Sequence, residues 1–226
     1  MESTDDTATI ARHFNATLIS HKVVDVVEEL RVQAVSACRH QWILFIDPDE
    51  RIAPELAQEF EAFILNPVKT VGIVTAPWVF YFKNKRLKGT MWGTRRVKSI
   101  LFNREGINLT PDVHAGTKLK PGFSEYSLGN TETAFITHLW SDSFSNLISK
   151  HRRYVRKEGQ SRFNNGDRYK GPGWHARATL AAFYSCFFYY QGYKDGLNGL
   201  LLSIFWSWYT FAGINSLRRY QPKHET

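Results

Sequence analysis

The amino-acid sequence predicts an α/β fold that is followed by a helical C-terminal region. The chain has 226 residues, of which 43% are hydrophobic, so it can bury one sizeable core. Residues 42–46 are all apolar and are followed at once by Asp47, Pro48 and Asp49, a pattern that predicts a buried strand ending in a polar turn. Helical patterns lie before and after this strand, and they indicate a sheet that is flanked by helices.

Short strands and helices alternate in the first part of the chain. A helix is predicted to begin near Asp5 or Asp6, because aspartate is a good N-cap residue. The predicted elements are a helix at 7–14, a strand at 17–19, a helix at 24–38, a strand at 42–47 and a helix at 54–64. This βαβα order is typical of sheets whose strands are joined by helices.

Alternation then gives way to a meander of strands, and later to helices. The predicted strands are 71–76, 78–82 and 98–102, with a turn at 83–86. From residue 143 onward the pattern is helical, with breaks at 164–167 and 170–173, where Asn, Gly and Pro cluster. We therefore predict two domains, a core at 1–142 and a helical region at 143–226.

The turn after strand 42–47 carries the most informative residues of the chain. Asp47, Asp49 and Glu50 follow the C-terminal end of a predicted strand, which is where open α/β sheets bind ligands. Carboxylate oxygens are ligands for Mg²⁺ and Mn²⁺, and such an ion can hold a nucleotide diphosphate. Asp49 and Glu50 are also expected to open a helix, since the first turn of a helix favours acids, and the alternative is that they only cap the helix that begins near Ala53.

Neighbouring motifs carry a resemblance to a known family. Ser3-Thr4-Asp5-Asp6-Thr7, a helix and then W-I-L-F-I-D-P-D-E-R stand in the order typical of family 2 glycosyltransferases. The bacterial lipopolysaccharide-core glucosyltransferase-like branch is the most similar, since residues 99–104, 113–114 and 136–138 also resemble its motifs. The resemblance covers nearly the whole chain. It implies a GT-A fold, which is a Rossmann-like mixed sheet flanked by helices.

The chemistry that the resemblance implies is inverting transfer of a sugar from a nucleotide-sugar donor to an acceptor hydroxyl. Asp49 is expected to hold a divalent cation, Mg²⁺ or Mn²⁺, that neutralises the leaving diphosphate. Asp47 is expected to reach the ribose or a metal-bound water, and Asp5 to contact the nucleotide. His138 is either a further ligand of the metal or diphosphate, or a structural histidine.

A general base is also needed on the acceptor side. The V-H-E motif of the branch is Val113-His114-Ala115 in this chain, so the expected Glu is absent. Asp112 or His114 is the expected substitute. The alternative is that Pro111-Asp112 is only a turn.

Three basic residues lie just before or at the start of strand 98–102. Arg95, Arg96 and Lys98 are expected to contact the diphosphate, since arginine suits forked phosphate recognition. The alternative is that they are exposed charges of the meander.

The resemblance also predicts that the core is truncated at its N-terminus. In the family the first strand, a P-x-x-N-E loop and the acidic end of the second strand contact the nucleotide base, whereas this chain begins inside the last of these motifs. Three explanations stay open: a misassigned start, a truncated gene, or a decayed relative.

Positive charge is concentrated in the C-terminal third. The whole chain has a formal net charge of +8, and residues 150–226 hold thirteen Lys and Arg against four Asp and Glu. The densest run, residues 150–157, can face nucleic acid, anionic lipid or water.

Two uncharged, aromatic-rich segments follow, at 178–193 and 196–217. We favour a monotopic helical hairpin on a membrane surface, while a transmembrane span and simple packing on the sheet remain alternatives. Residues 192–199 also resemble the family's G-x-x-D-G-x-x-G tail.

Location follows from the cysteines and the N-terminus. Cys38 and Cys186 lie far apart without metal-binding spacing, which indicates a reducing compartment, and no signal-peptide pattern is visible. The predicted location is the cytoplasmic face of the bacterial inner membrane.

The predicted function is transfer of a sugar from a nucleotide-sugar donor to a lipid-linked or cell-envelope glycan, with no nucleic-acid partner. One alternative is an inactive scaffold or fragment that keeps the fold. Another is a nucleic-acid-binding module that uses the basic helix, with Tyr154, Phe163, Tyr169 and Trp174 as stacking groups.

Overall fold

The computed structural model describes residues 4–22, 27–94, 96–109 and 117–221. The chain divides into two compact units. The first comprises Met1–Ile46, Glu59–Thr75 and Ser99–Leu128, and the second comprises Asp47–Gln58, Ala76–Lys98 and Gly129–Thr226. The predicted division into a core at 1–142 and a helical region at 143–226 stays a prediction.

Helices occur in both units. The helices of the described residues are α1 (Thr7–His13), α2 (Val27–Ala37), α3 (Pro54–Leu65), α4 (Thr90–Gly93), α5 (Phe144–Asn164), α6 (Pro172–Tyr184) and α7 (Gly196–Tyr220). A π-helical turn, Ser185–Tyr189, and a 3₁₀ turn, Gly192–Asp195, connect α6 to α7.

The strands form a mixed sheet and a separate two-stranded ribbon. They are β1 (Trp42–Leu44), β2 (Glu50–Ile52), β3 (Val71–Phe82), β4 (Lys85–Arg86), β5 (Val97–Asn103), β6 (Ile107–Leu109), β7 (Thr117–Leu119), β8 (Ser124–Ser127) and β9 (Ile136–Ser141). The predicted α/β class, a mixed sheet flanked by helices, is confirmed.

The first unit contains the N-terminal half of β3. This half pairs in parallel with β8, and β1 pairs antiparallel with β5. Ile73, Phe102 and Ile107 form a small buried core there, against which Phe45 and Leu119 pack.

The second unit contains the C-terminal half of β3, which pairs in parallel with β9, while β9 pairs antiparallel with β2. Its core joins the sheet to the C-terminal helices. The buried members are Phe80, Phe82, Leu87, Trp92, Trp140, Leu147, Cys186, Leu202 and Phe205.

Three details of the predicted elements are corrected. Residues 17–19 form no strand, and Leu18 and Ile19 are exposed, so this apolar run has no sheet to join. The two strands predicted over 71–82 are one continuous strand, β3, because almost every residue along it is buried. Asp49 and Glu50 do not open a helix, since Glu50 begins β2 and α3 starts only at Pro54.

The predicted helical hairpin is present within the second unit. His175 Nε2 lies 3.0 Å from the Phe211 carbonyl oxygen, and the Ser207 hydroxyl donates to the Thr179 carbonyl at 2.9 Å, so α6 and α7 run antiparallel. One face of α7 is buried, with Leu202 and Phe205 in the core. Among the described residues, one helix, Gly192–Tyr220, is long and apolar enough to cross a bilayer by length and composition, and a single helix of this kind is weak evidence for a span.

The G-x-x-D-G-x-x-G segment closes this hairpin. A Cβ on Gly199 would stand 1.8 Å from the Gly192 carbonyl oxygen, so only glycine allows this approach. The Asp195 carboxylate accepts the backbone N–H groups of Lys88 at 2.7 Å and Gly89 at 2.8 Å. The motif therefore ties the hairpin to the loop that leads into α4.

Candidate active site

The carboxylate turn, which we define as residues 47–50, is held by two hydrogen bonds between Asp47 and Glu50. The Glu50 N–H donates to the Asp47 carbonyl at 3.0 Å, and the Asp47 N–H donates to Glu50 Oε2 at 3.0 Å. Pro48 has no N–H and cannot extend a strand ladder. The turn thus leaves the sheet while its carboxylates stay close together.

Lys98 forms ion pairs with two carboxylates of this turn. Its ammonium group donates to Asp47 Oδ2 at 2.8 Å and to Glu50 Oε2 at 2.5 Å. The Lys98 side chain is 14% exposed and that of Glu50 is 0% exposed. Because a buried charge needs a partner, this ion pair is a structural element of the turn. The alternative that Glu50 caps a helix is therefore wrong.

Asp49 has a different environment from its neighbours. Its Oδ2 atom lies 3.2 Å from His138 Nε2 and 3.9 Å from Lys150 Nζ, and its side chain is 37% exposed. The hydrogen bond with His138 lowers the pKa of Asp49, with smaller contributions from the charges of His138 and Lys150 and against the opposing effect of burial. Asp49 is therefore an ionised, accessible carboxylate, and the interpretation of Asp49 as a helix cap is wrong.

Aromatic rings fix the orientation of His138. The imidazole stacks on Trp78 with ring centroids 4.7 Å apart, and the edge of Phe80 lies 4.6 Å away. Lys98 Nζ lies 5.5 Å from the centroid of the Trp78 ring. Among the described residues, His138 Nδ1, Trp78 Nε1 and Glu50 Oε1 are buried without a hydrogen-bond partner. Unsatisfied polar atoms of this kind are uncommon, and their clustering marks a candidate ligand site.

The pair formed by Asp49 and His138 fits a divalent cation. The two donor atoms are 3.2 Å apart, close to the spacing of about 3 Å between adjacent ligands of an octahedral ion with bonds of about 2.1 Å. Within the described ranges, no group of three or more His, Cys, Asp or Glu residues could hold a metal. Substrate phosphate oxygens and water would have to complete the coordination, as is common for Mg²⁺.

Two clefts lie at this site, within the second unit. The Trp78 cleft has a volume of about 510 Å³, and its walls include Trp78, Phe80, Trp92, Arg96 and Glu132. The Asp49 cleft has a volume of about 660 Å³ and is lined by Asp49, Leu139, Trp140, Ser141, Asp142, Asn146, Ser149, Lys150 and Arg153. Both volumes are in the range of small-molecule sites.

The second unit brings together three of the residues predicted from the sequence, Asp47, Asp49 and His138. Arg96 lines the Trp78 cleft, where its Nε donates to the Met91 carbonyl at 2.7 Å and burial lowers the pKa of its guanidinium. Asp5 lies in the first unit, where its carboxylate accepts the Thr7 hydroxyl at 2.6 Å. The roles assigned to these residues stay predictions.

Arg95, Asp112 and His114 lie outside the described residues. Their predicted roles in diphosphate binding and base catalysis therefore also stay predictions.

Sequence reasoning missed several side chains that shape this site. The pattern predicts that Glu50 belongs to a helix start, and that Lys98 is a diphosphate contact or an exposed charge rather than the partner of two carboxylates. Trp78 carried no signal beyond its place in an apolar strand. Lys150 was visible only as one member of a basic run, since nothing in the sequence indicates that it approaches Asp49 across 101 positions.

A mixed α/β sheet with an accessible, ionised Asp at a carboxylate turn is the arrangement expected of a GT-A transferase. The family model for glycosyl transferase family 2 matches residues 2–119, which is more than half of the chain. The chain therefore belongs to glycosyl transferase family 2, and the predicted GT-A fold class is confirmed.

A curated relative supports the same class. The chain is 23% identical over 228 residues to an uncharacterized glycosyltransferase of Rickettsia conorii, with 96% of this chain and 78% of the relative covered. Membership in the lipopolysaccharide-core branch and truncation of the N-terminus stay predictions.

Proposed function

We propose that this chain transfers a sugar from a nucleotide-sugar donor to a hydroxyl group of a lipid-linked or cell-envelope glycan. The observation that carries the proposal is the carboxylate of Asp49, which is ionised, 37% exposed and paired with His138 in a member of glycosyl transferase family 2. An inverting, metal-dependent reaction in the lipopolysaccharide-core branch is the form that the sequence motifs favour.

Asp49 and His138 are the residues that would hold Mg²⁺ or Mn²⁺. The ion would supply charge stabilisation for the leaving diphosphate. Lys98 pairs with Asp47 and Glu50, whereas Asp49 is paired with His138, so in our proposal Asp49 and His138 together present their donor atoms to the ion. In our proposal Asp47 exchanges its contact with Lys98 for the donor ribose or for a water molecule when the donor binds.

The acceptor is assigned to the Trp78 cleft. Its aromatic walls suit the apolar faces of sugar rings, and Arg96 and Glu132 can form hydrogen bonds with hydroxyl groups. The proton of the attacking hydroxyl goes to Asp112 or His114 in this scheme. Arg95 and Arg96 are proposed to contact the diphosphate or the sugar.

Membrane association is proposed through the hairpin tip, which we define as residues 184–197. Large apolar side chains are strongly exposed there, including Tyr184 at 64%, Tyr189 at 72% and Leu197 at 70%. Lys194 is exposed beside them, while the carboxylate of Asp195 faces the backbone of Lys88 and Gly89. Aromatic groups with a nearby cation and no outward acid suit an anionic bilayer surface, here the cytoplasmic face of the bacterial inner membrane.

The experiment that tests the function is a titration of the full chain with UDP, with and without Mn²⁺, followed by turnover assays over a panel of nucleotide sugars. Asp49→Asn is expected to remove metal-dependent UDP binding and to lower turnover by about 100-fold or more. The matched control is Asp142→Asn, since this carboxylate lines the same cleft but accepts from Asn146 at 2.8 Å. The control is expected to keep both activities within about threefold.

Two results would contradict the proposal. Equal UDP binding by wild type and Asp49→Asn would remove Asp49 from the donor site. A folded wild type that binds none of the nucleotides and turns over no donor would instead support an inactive glycosyltransferase-like scaffold.

A further inference from the structure

One face of α5 borders the Asp49 cleft. Asn146, Ser149, Lys150 and Arg153 all line this cleft. Their spacing of three, four and seven residues places them on a single side of a helix. The basic run at 150–157 is therefore split, and only part of it faces the site.

The cations on this face lack strong partners. Lys150 Nζ is 3.9 Å from Asp49 Oδ2, beyond the length of a direct hydrogen bond, and its ammonium group makes no other hydrogen bond or ion pair within the described residues. Arg153 is exposed and has no ion-pair partner in the described part of the chain. Apart from the long ion pair between Lys150 and Asp49, the up to eight N–H donors of the two side chains make no hydrogen bond or ion pair within the described residues.

The acid of α5 does not compensate these cations. Glu158 is the single acidic residue of the helix, and its Oε1 accepts from Arg162 Nε at 3.0 Å. Its Oε2 accepts the Tyr209 hydroxyl at 3.0 Å. Both carboxylate oxygens of Glu158 thus have partners other than Lys150 and Arg153.

We infer that Lys150 and Arg153 form a phosphate-binding site beside Asp49. The site takes a phosphate or diphosphate group, because a guanidinium fork and an ammonium point charge bind such oxygens by charge-assisted hydrogen bonds. The Ser149 hydroxyl, which is exposed on the same face, is a further donor. The cleft of about 660 Å³ has ample room for a diphosphate.

This inference rests on the proposed function for the source of the phosphate. If the phosphate belongs to the donor, a cation held by Asp49 and the two basic side chains share the charge of one diphosphate. If it belongs to a phosphorylated acceptor, Lys150 and Arg153 bind it without help from Asp49. The chemistry of the basic site is the same in both cases.

The test is a calorimetric titration of the full chain with inorganic pyrophosphate, with and without Mn²⁺. Pyrophosphate carries no base or sugar, so the result does not depend on the identity of the donor. Lys150→Gln and Arg153→Gln are each expected to weaken binding by about tenfold or more, the effect of losing a charge-assisted hydrogen bond. The matched control is Arg152→Gln, which removes an exposed charge on another face of α5 and is expected to change binding by less than about twofold.

The Mn²⁺ arm identifies the source of the phosphate. Binding by wild type that Mn²⁺ strengthens, with the gain lost in Asp49→Asn, supports a donor diphosphate. Equal binding with and without Mn²⁺ supports a separate phosphate on the acceptor. The inference is overturned if Lys150→Gln and Arg153→Gln bind pyrophosphate as Arg152→Gln does, or if wild type does not bind it at all.

Failure of the proposed function gives a different signature. If wild type binds pyrophosphate through Lys150 but turns over no nucleotide sugar, the inferred phosphate site stands and the proposed transferase function is contradicted. If Lys150→Gln turns over the donor with the KM and kcat of wild type, the proposed transferase function stands and the inferred phosphate site is contradicted.

Discussion

The carboxylate turn and the hairpin tip use acidic residues in opposite ways. In the turn, Asp47 and Glu50 share Lys98 and Asp49 pairs with His138, and the side chains of Asp47 and Asp49 are both partly exposed. At the tip, Asp195 directs its carboxylate to two backbone N–H groups and leaves an aromatic surface outside. Charged side chains thus lie close together at the turn, where a ligand can reach them. At the tip, the carboxylate is directed away from the surface.

This difference assigns two proposed properties, catalysis and membrane binding, to two separate regions of the chain. The turn has the features expected of a catalytic site. These are ion-paired side chains, buried polar atoms without a hydrogen-bond partner, and adjoining clefts. The tip has the features expected of adhesion, namely exposed apolar rings with a neighbouring cation. Substitutions in one region should therefore leave the property of the other unchanged.

Loss of Lys98 is expected to have the largest effect on stability. Lys98→Met leaves the fully buried Glu50 side chain without its cation, and breaking a buried ion pair typically costs about 3–5 kcal/mol. The free energy of unfolding, measured by urea denaturation, should fall by about this amount. The double variant Lys98→Met with Glu50→Gln should recover more than half of the loss. No recovery would mean that Lys98 contributes by packing on Trp78 instead.

Substitution at the hairpin tip is expected to affect membrane binding and little else. Phe188 and Tyr189 are 51% and 72% exposed, so replacing both by serine removes apolar surface without opening the core. Co-sedimentation with vesicles that contain phosphatidylglycerol should weaken by about tenfold or more, given the transfer free energy of two partly buried rings.

Leu65→Ser is the matched control for this experiment, because Leu65 is 79% exposed but lies on α3. It should bind vesicles as wild type does. Equal losses in the control and in the tip variant would show nonspecific adhesion, and no loss in either would contradict the assignment of the tip.

A smaller effect is expected from removing the charge of the acid at the tip. Asp195→Asn keeps one acceptor oxygen but takes the acceptor from the N–H of Lys88 or Gly89, at a cost of about 0.5–1.5 kcal/mol because these N–H groups are only partly buried. The measurement is again the free energy of unfolding. Asp167→Asn, an exposed acid in the loop before α6, should change it by less than about 0.5 kcal/mol. If the two variants were equally stable, Asp195 would not be a structural acid.

The smallest effect concerns His151, which follows Lys150 but faces the aromatic core. Its Nδ1–H donates to the Leu147 carbonyl at 2.8 Å, and its ring packs 4.7 Å from that of Phe205. Burial lowers the pKa of His151 below its ordinary value of 6.5. The folded state therefore binds fewer protons than the unfolded state, so stability declines as the pH falls from 6.5 through the lowered pKa.

Denaturation midpoints at pH 7.5 and 5.5 test this expectation. His151→Phe should lose less stability than wild type between the two pH values, because its ring cannot be protonated. His40→Gln, which removes an exposed histidine, should keep the pH dependence of wild type. A His151→Phe variant with the wild-type pH dependence would show that other groups control it.

Much of the secondary structure could be predicted from the sequence. Helices near 7–14 and 54–64 and the helical hairpin after residue 172 follow from local periodicity and from breakers such as Pro172. The strand predicted at 17–19 shows the limit of such patterns. A short apolar run forms a strand only where a sheet edge accepts it, and that depends on distant residues.

The sequence predicted which residues of the candidate site carry ligand atoms, but not which side chains pair with them. The motifs singled out Asp47, Asp49 and His138, and all three lie in the second unit. The partners of these side chains were not visible, because Lys98 lies 48 positions from Glu50, and His138 lies 89 positions from Asp49. The sequence pattern predicts that Glu50 lies at the start of a helix, whereas Glu50 begins strand β2, which pairs with β9.

By itself, the sequence determined the α/β class, the helical hairpin and the presence of an acidic turn after an apolar strand. These features depend on local periodicity and on the chemistry of single residues. Only the tertiary structure decided which partner each carboxylate of the turn has, which two cations of the basic run border the Asp49 cleft, and which way Asp195 points. These outcomes depend on contacts between residues far apart in the chain, and the cost of an unpaired buried charge selects among them.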